Sequence, residues 1–289
     1  MMFARGYNTV MTRVIHITDL HFWRIVRNPL LLCNKRMLGN LNLLLRRRKY
    51  VRQERVAAFI EQFSTLNADV LLIGGDLTTT ATDAEYKMAA AFVDALARYD
   101  APIYITAGNH DLYTFESLRR KRFESYFGDR IETPGAPRMT LLPGGAPLLI
   151  VPTARPNFLS SRGGITKTQL TATRRLLEQA PDGPLIVLAH YPILPCTDAY
   201  RSGLMRRLGN ADALRRLLGE TGRPILYLAG HVHVYSHIRD PLFPKIEQVT
   251  SAALFYEKER HPGGFTEIVC DGPEHTVYPW EYCDGWRHS

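Results

Sequence analysis

Five short polar strings in this sequence carry side chains that bind metal ions. They are Asp19-Leu20-His21, Gly74-Gly75-Asp76, Gly108-Asn109-His110-Asp111, His190 in Leu188-Ala189-His190-Tyr191, and Gly230-His231-Val232-His233. Carboxylate, amide and imidazole donors suit manganese, iron, zinc or magnesium, and none of the strings contains a cysteine. The strings therefore predict a catalytic centre for divalent cations rather than a structural zinc site.

Each string follows an apolar run that we predict to be a buried strand. The runs cover residues 14–17, 70–73, 103–105, 185–188 and 225–228. Because loops at the carboxyl ends of strands carry ligands above a rigid scaffold, we expect the five strings to converge on one sheet edge. Separation along the chain does not prevent them from sharing a site.

We expect such a site to perform a hydrolytic reaction, and a pair of cations suits phosphoester hydrolysis. A carboxylate can bridge two cations, and two cations about 3.5 to 4 Å apart polarise a phosphoryl oxygen and lower the pKa of a bound water towards about 7. We therefore expect two divalent metal ions as cofactors. Manganese is the preferred expectation, and iron, zinc and magnesium are alternatives.

In this order, the five strings resemble the calcineurin-like metallophosphoesterase superfamily, whose pattern is D-x-H, G-D, G-N-H-[DE], a lone H and G-H-x-H. The resemblance spans Val14 to His233. It implies that one metal is held by Asp19, His21, Asp76 and His233. It implies that the other metal is held by Asp76, Asn109, His190 and His231.

The resemblance also implies two catalytic roles and a fold. His110 would protonate the leaving oxygen or stabilise the phosphoryl transition state, and Asp111 would orient the His110 ring. The implied fold is a layered α-β-β-α arrangement, in which helices flank a central two-sheet β-sandwich. We expect one such α/β domain over residues 11–289.

Local patterns predict several individual elements. A near-3.6 apolar period predicts a helix over Val51–Leu66. Capping boxes at Thr82–Glu85 and Thr166–Gln169 predict helices that run towards Arg98 and Ala180. After Pro241, apolar alternation predicts three strands, over Lys245–Ala253, Phe265–Asp271 and Thr276–Tyr282. The remaining histidines are interpreted as structural or surface residues: His16, His237, His261, His275 and His288.

Residues 22–49 interleave apolar and basic side chains, beginning beside the predicted ligand His21. This insertion and the net charge of +8 favour an anionic amphiphile or a membrane surface as partner. The candidate contact residues are Trp23, Arg46, Arg47 and Arg48. The alternative interpretation is a helical hairpin whose leucines pack on the domain and whose arginines are solvated.

Within the insertion, Asn34–Leu43 resembles the chlamydial-type UDP-2,3-diacylglucosamine pyrophosphatases. That resemblance implies cleavage of this lipid nucleotide to 2,3-diacylglucosamine 1-phosphate and UMP, a step of lipid A biosynthesis. The alternatives are a soluble phosphodiesterase of the cyclic nucleotide type, a phosphoprotein phosphatase, and a non-catalytic membrane or scaffold module. The complete set of predicted ligands argues against the last of these.

Composition restricts the location and partners of the protein. There is no run of about 18 apolar residues and no secretory signal after Met1, and Met11 is an alternative start. Four scattered cysteines indicate reduced thiols, so we expect a cytoplasmic protein, peripheral on the inner membrane if the substrate is a lipid.

Nucleic acid is not expected as a partner, because no aromatic stacking series accompanies the basic residues. Arg119–Arg122 and Arg206–Arg207 are interpreted as solvated helix faces.

Overall fold

Strands and helices alternate along the computed structural model, which describes residues 11–26, 36–45, 49–130, 135–157, 160–197, 206–258 and 261–289. Within these ranges the strands are β1 (Thr12–Ile17), β2 (Val70–Ile73), β3 (Ile103–Ile105), β4 (Arg138–Leu141), β5 (Pro147–Ile150), β6 (Gly163–Gly164), β7 (Leu185–Leu188), β8 (Leu208–Gly209), β9 (Ile225–Ala229), β10 (Ser236–Arg239), β11 (Ile246–Thr250), β12 (Gly264–Asp271), β13 (Glu274–Tyr282) and β14 (Trp286–His288). The α-helices are α1 (Arg36–Leu45), α2 (Val56–Thr65), α3 (Asp83–Leu96), α4 (Phe115–Arg119), α5 (Arg122–Phe127), α6 (Lys167–Gln179) and α7 (Ala211–Gly219).

Two six-stranded mixed sheets occupy the centre of the molecule. Their strand orders are β14-β13-β12-β1-β2-β3 and β10-β11-β9-β7-β5-β4. The strands that precede the polar strings run parallel to one another within each sheet: β1, β2 and β3 in the first, β7 and β9 in the second. The expectation that all five strings lie on one sheet edge is therefore wrong. Three strings follow strands of the first sheet and two follow strands of the second.

The two sheets pack face to face through an apolar core. Val14 and Leu72 of the first sheet share this core with Leu188 and Leu228 of the second, and all four side chains are fully buried. Because the opposite faces of these strands are also covered, they appear in the sequence as continuous apolar runs rather than alternating ones.

Helices cover the outer face of each sheet. Phe59 of α2 and Phe92 of α3 pack with the outward residues of the first sheet. Leu177 of α6 and Leu214 of α7 cover the second sheet in the same way. This arrangement confirms the predicted α-β-β-α architecture. Among the described helices, none has the combination of length and apolar character needed to cross a bilayer.

Local capping chemistry determines where two of the helices begin. Both predicted capping boxes are present: Thr82 and Glu85 open α3, and Thr166 and Gln169 open α6. The helix predicted from Val51 begins later, at Val56, because Gln53–Arg55 forms a 3₁₀ turn first. The three strands predicted after Pro241 correspond to β11, β12 and β13, with shifted ends.

A buried ion pair joins α7 to the end of β10. Arg215 donates through Nε to Oδ2 of Asp240 at 2.6 Å, and the two side chains are 9% and 0% exposed. We expect Asp240→Ala to lower the free energy of unfolding by about 3 to 5 kcal/mol, because it leaves a buried guanidinium unpaired. Urea denaturation measures this loss, and the exposed Asp182→Ala is the control, with a change below about 0.5 kcal/mol. Equal losses in the two variants would contradict the prediction.

The same pair predicts a pH dependence of stability. Burial raises the pKa of Asp240, but hydrogen bonds from Arg215 and the backbone N–H groups of Leu242 and Phe243 lower it overall. A carboxyl whose folded pKa is depressed stabilises the fold fully above its unfolded pKa. Its contribution is lost as the pH falls through the folded pKa. The difference in stability between the wild type and Asp240→Ala should therefore shrink in acid.

Candidate metal centre

The loops that follow β1 and β2 pair with each other through their backbones. The N–H groups of Asp19 and His21 donate to the carbonyls of Gly75 and Asp76, each at 2.9 Å. This pairing places the first string against the second. The chain thereby brings Asp19, His21 and Asp76 to one end of the sandwich, although more than fifty residues separate the two loops.

Left-handed backbone conformations are concentrated at this end of the molecule. Five of the seven predicted ligands have a positive φ: Asp19 (53°), His21 (50°), Asp76 (53°), His231 (70°) and His233 (64°). Such conformations are costly for residues other than glycine and persist where the surrounding structure imposes them, which is typical of functional sites. The loops therefore direct these side chains towards the predicted metal site, and the cost is local backbone strain.

Two glycines of the strings are required by close packing against the predicted ligands. A Cβ at Gly108 would collide with the Asp76 carboxylate, and a Cβ at Gly230 would collide with Thr18 Oγ1 and Asp19 Oδ2. These glycines let the loops approach one another closely enough for the strings to share a site.

The first predicted metal position is formed by Asp19, His21 and His233. The Nε2 atoms of the two histidines are 2.9 Å apart, and His233 Nε2 is 3.3 Å from Asp19 Oδ1. That oxygen is buried and accepts no hydrogen bond from the part of the chain that the structure describes. A buried carboxylate oxygen normally has a partner, so a cation at this position fits the donor set.

The second predicted position is formed by Asp76, Asn109, His190 and His231. His190 Nε2 is 3.5 Å from Asp76 Oδ2 and 3.2 Å from Asn109 Oδ1. The potential ligand atoms of Asp76, His190 and His231 all lie within 4.8 Å of one another. These oxygen and nitrogen donors also fit a divalent cation.

Backbone carbonyls hold the two histidines of this second position. His190 donates Nδ1–H to the Gly74 carbonyl at 2.8 Å, and His231 donates Nε2–H to the Arg206 carbonyl at 2.9 Å. A carbonyl can only accept, so these bonds leave Nε2 of His190 and Nδ1 of His231 as the ligand atoms.

Asp76 lies between the two positions. Its Oδ2 is 4.0 Å from His21 Nε2 and 3.5 Å from His190 Nε2. Its Oδ1 accepts the backbone N–H of His110 at 2.7 Å, which fixes the orientation of the carboxylate. This geometry suits a carboxylate that bridges two cations.

The charges of the buried site favour cations. Burial raises the pKa of Asp76, but His190, His110 and His21 lower it well below its ordinary value. Burial lowers the pKa of His190, but the Asp76 and Asp19 carboxylates raise it to about 9. Without a metal the carboxylates thus hold a proton on His190, and a divalent cation would take the place of that positive charge.

His110 lies at the edge of this centre, and its hydrogen bonding corrects one prediction. Its Nδ1–H donates to the Thr79 carbonyl at 2.6 Å, and no hydrogen bond among the described residues joins the Asp111 carboxylate to its ring. Asp111 instead accepts the backbone N–H groups of Leu77, Thr78 and Gly108. The expectation that Asp111 orients the His110 ring is therefore wrong, because buried loop amides take up its lone pairs.

Other predictions have different outcomes. Trp23 is partly buried against the core of the first sheet and is not among the residues that line the cleft at the metal centre, and its contact with a substrate or membrane stays a prediction. Arg46, Arg47 and Arg48 lie outside the described residues. His16 is a buried structural residue, as expected, since its Nδ1 lies 2.7 Å from Ser251 Oγ.

Tyr191 is a positioning residue that sequence patterns missed. Its hydroxyl lies 2.6 Å from the Ser161 carbonyl and 3.1 Å from Asn109 Oδ1, so both acceptors share its one hydrogen, and its ring centroid is 4.1 Å from that of His231. The only sequence signal was its position directly after His190. Tyr191 thus contacts two predicted ligands of the second position.

We expect Tyr191→Phe to weaken metal binding about 10-fold at one of the two positions, because it frees the Asn109 amide to rotate. The measurement is a manganese titration with free metal quantified at each step. Tyr278→Phe, which removes an exposed hydroxyl, is the matched control. Two identical binding curves would refute the positioning role.

A cleft of about 560 Å³ opens above the metal centre. Asp76, Asn109, His110, His231 and His233 form its base. Val232 of the fifth string also lines it, and residues outside the five strings form the rest of its lining: Lys49, Tyr50, Ser161, Arg206, Tyr256 and Lys258. Arg206, interpreted from the sequence as part of a solvated face, is exposed but lines this cleft.

Comparison with known proteins identifies the family. The family model of calcineurin-like phosphoesterases matches residues 12–235. The chain therefore belongs to the calcineurin-like phosphoesterase family, and it is a metal-dependent phosphohydrolase. A binuclear metal site is typical of this family. Two divalent cations bound at such a site supply polarisation of a phosphoryl oxygen and activation of water.

Two curated relatives are probable phosphodiesterases. The chain is 25% identical over 214 residues to a probable glycerophosphodiester phosphodiesterase (GpdQ) of Arcobacter nitrofigilis, covering 73% of each chain. It is 25% identical over 219 residues to a probable cyclic nucleotide phosphodiesterase of Ruthia magnifica, covering 75% of this chain and 84% of the relative.

A solved structure shows the same fold. A dimetal phosphatase from Danio rerio superposes with a TM-score of 0.64 at 14% identity, covering 92% of this chain and 98% of that one. This similarity concerns the arrangement of sheets and helices.

Proposed function

We propose that this chain hydrolyses small water-soluble phosphodiesters, with the cleft above the metal centre holding both alcohol groups of the substrate. The cleft volume of about 560 Å³ exceeds what a phosphate alone needs and lies within the range of small-molecule sites. A diester needs such room on both sides of its phosphorus, whereas the metal centre itself engages only the phosphate.

The observation that carries this proposal is an aromatic and cationic wall on one side of the cleft. The rings of Tyr50 and Tyr256 are 5.7 Å apart, and the Tyr256 ring is 4.9 Å from the ring of His233. The ammonium groups of Lys49 and Lys258 lie 4.8 and 5.8 Å from the Tyr50 ring. Such a wall suits a planar group that stacks on tyrosine and a phosphate that the cations attract.

The names of the relatives support the same class of substrate. One is described as acting on glycerophosphodiesters and the other on cyclic nucleotides, and both are diesters of phosphate. The stacking surface of Tyr50 and Tyr256 favours a nucleotide over glycerol derivatives.

In this proposal the chain supplies a proton donor and a means of holding the phosphate. The imidazolium form of His110 would donate Nδ1–H to the Thr79 carbonyl and deliver its Nε2 proton to the departing alkoxide, which leaves the neutral ring. Lys49, Arg206 and Lys258 attract the anionic substrate into the cleft and offset its charge.

The test compares the rates at which purified protein hydrolyses different substrates in the presence of manganese. Cyclic AMP, glycerophosphoethanolamine, bis-p-nitrophenyl phosphate and the monoester p-nitrophenyl phosphate are supplied separately, and product release is measured. We expect the diesters to have the higher kcat/KM.

Lys258→Ala should raise KM for cyclic AMP about 10-fold, the usual cost of one lost charged contact. The control Lys87→Ala changes an exposed lysine of α3 and should leave KM unchanged. Faster turnover of the monoester, or equal KM in both variants, would overturn the proposal.

A second candidate function is hydrolysis of UDP-2,3-diacylglucosamine at a membrane surface, and an exposed apolar face on α1 favours it. Met37, Leu41 and Leu45, spaced four residues apart, are 56%, 52% and 69% exposed. Arg36 anchors the helix, since its buried guanidinium donates to the carbonyls of Thr80 and Ala81 in the loop after β2. The same loop carries the Thr79 carbonyl that holds His110, and an exposed apolar face on a helix anchored to this loop suits acyl chains.

This second candidate has its own experiment. UDP-2,3-diacylglucosamine is supplied in mixed micelles to the wild type and to a triple variant, Met37→Gln, Leu41→Gln and Leu45→Gln. A lipid substrate predicts UMP release by the wild type and at least a 10-fold loss in the triple variant, with cyclic AMP turnover unaffected. Leu242→Gln, which changes an equally exposed leucine elsewhere, is the control. Absence of UMP release eliminates this candidate.

A further inference from the structure

A second cluster of metal-ligating side chains lies apart from the catalytic cleft. It consists of His237 on β10, Glu247 on β11 and His275 on β13. None of the three lines the cleft. In the strand register Glu247 lies beside Leu226, near the amino end of β9, whereas the predicted catalytic ligands follow the carboxyl end of that strand.

The three side chains come from both halves of the sandwich. Strands β10 and β11 belong to the second sheet, whereas β13 belongs to the first. On β11, Val249 lies two residues after Glu247, and on β13, Val277 lies two residues after His275. Both valines pack in the core between the sheets. Side chains two residues apart on a strand share a face, so the cluster lies where the two sheets meet at their rim.

The spacing of the donor atoms matches a metal site. Nε2 of His237 is 2.9 Å and Nε2 of His275 is 3.4 Å from the same Glu247 oxygen, Oε2. All three donor atoms lie within 4.8 Å of one another. Two ligands bound tetrahedrally to zinc at about 2.1 Å are separated by roughly 3.4 Å. The existing separations thus need only small side-chain adjustments to admit an ion.

The charge of the cluster suits a cation. Partial burial raises the pKa of Glu247, but hydrogen bonds from Arg239 and His237 and the charge of His275 lower it overall, so the carboxylate is ionised at neutral pH. Arg239 occupies Oε1, at 2.6 Å, which leaves Oε2 directed at the two imidazoles. The three side chains are 34%, 20% and 22% exposed, so an ion has access from solvent.

We propose that His237, Glu247 and His275 form a third metal site, specific for zinc and similar borderline cations, that joins the two sheets of the sandwich. Two imidazoles and one carboxylate are a recurrent zinc donor set, and they leave a fourth position for water. Magnesium prefers all-oxygen coordination and is not expected to bind here. Since the ion contacts both sheets, its role is structural. It binds the folded state only and therefore stabilises that state.

The test measures zinc stoichiometry and thermal stability. Wild type, His237→Ala, His275→Ala and the control His261→Ala, which removes an exposed histidine outside the cluster, are dialysed against excess free zinc. Zinc per chain is then measured by mass spectrometry of the metal. We expect one fewer zinc per chain in His237→Ala and His275→Ala than in the wild type and His261→Ala. The increase in Tm on adding zinc should also be smaller in these two variants.

A further variant distinguishes the loss of a zinc ligand from misfolding of the chain. His275→Cys keeps a zinc ligand and should restore the stoichiometry that His275→Ala loses. Circular dichroism without zinc establishes that all variants fold. Equal zinc content and equal Tm shifts in all variants would overturn the proposal, and the cluster would then be a hydrogen-bonded ionic network alone. Hydrolysis of cyclic AMP in manganese should be the same throughout, because none of these residues lines the cleft.

Discussion

Replacing His110 by alanine is expected to lower turnover of cyclic AMP by about 10²- to 10⁴-fold while metal content stays the same. His110 lines the cleft, and its Nδ1 is engaged by the Thr79 carbonyl. Its role as proton donor matters most for a poor leaving group. The loss should therefore be much smaller for bis-p-nitrophenyl phosphate, whose leaving group departs without protonation. Steady-state kinetics with both substrates, and metal analysis of the same samples, provide the measurement.

A different outcome would change the assignment of His110. Its potential ligand atom lies within 4.8 Å of those of His21 and Asp76, so a direct contact with a metal is the competing interpretation. Loss of one metal per chain, together with equal losses for both substrates, would identify His110 as a ligand. His261→Ala serves as the control for removing a histidine from the surface.

Replacing Asp76 by asparagine is expected to remove metal from both positions and to lower turnover of every substrate by roughly 10³-fold or more. Oδ2 of Asp76 faces His21 on one side and His190 on the other. Asparagine removes the negative charge that both positions share and leaves one oxygen in place of two. Metal per chain and kcat are measured in manganese-loaded samples.

The control for this prediction is Asp182→Asn, since Asp182 is exposed just before β7 begins, at the strand end opposite His190. It should keep both metals and full activity. If Asp76→Asn retained both metals, Asp76 would not bridge them. If His110→Ala and Asp76→Asn lost equal amounts of metal, the separation of their roles would be wrong.

The parts of the fold that depend on local sequence could be predicted. The strands before the polar strings appear as apolar runs because both of their faces are buried. The capping boxes at Thr82 and Thr166 mark where two helices begin, and each box consists of only four consecutive residues. The ordered set of five strings predicts which seven side chains come together, but only through its resemblance to a known family. These signals are local, or they reside in the order of the motifs.

The parts that depend on long-range pairing could not be predicted. Whether a strand joins the first or the second sheet depends on its neighbours, so the division of the strings between two sheets was missed. Hydrogen-bond partners were missed for the same reason. The Thr79 carbonyl and the Tyr191 hydroxyl contact the site only after the loops have folded. Arg206 was interpreted as solvated because an exposed arginine beside a cleft has no distinct sequence pattern.

The division of the predicted ligands between two sheets has a consequence for how the protein matures. Asp19, His21, Asp76 and Asn109 are synthesised first and follow strands of the first sheet, whereas His190, His231 and His233 emerge much later and follow strands of the second. Each predicted metal position draws ligands from both groups. A nascent chain that has folded only its first half therefore holds incomplete positions with low affinity. Capture of the ions becomes a late event, coupled to docking of the two sheets.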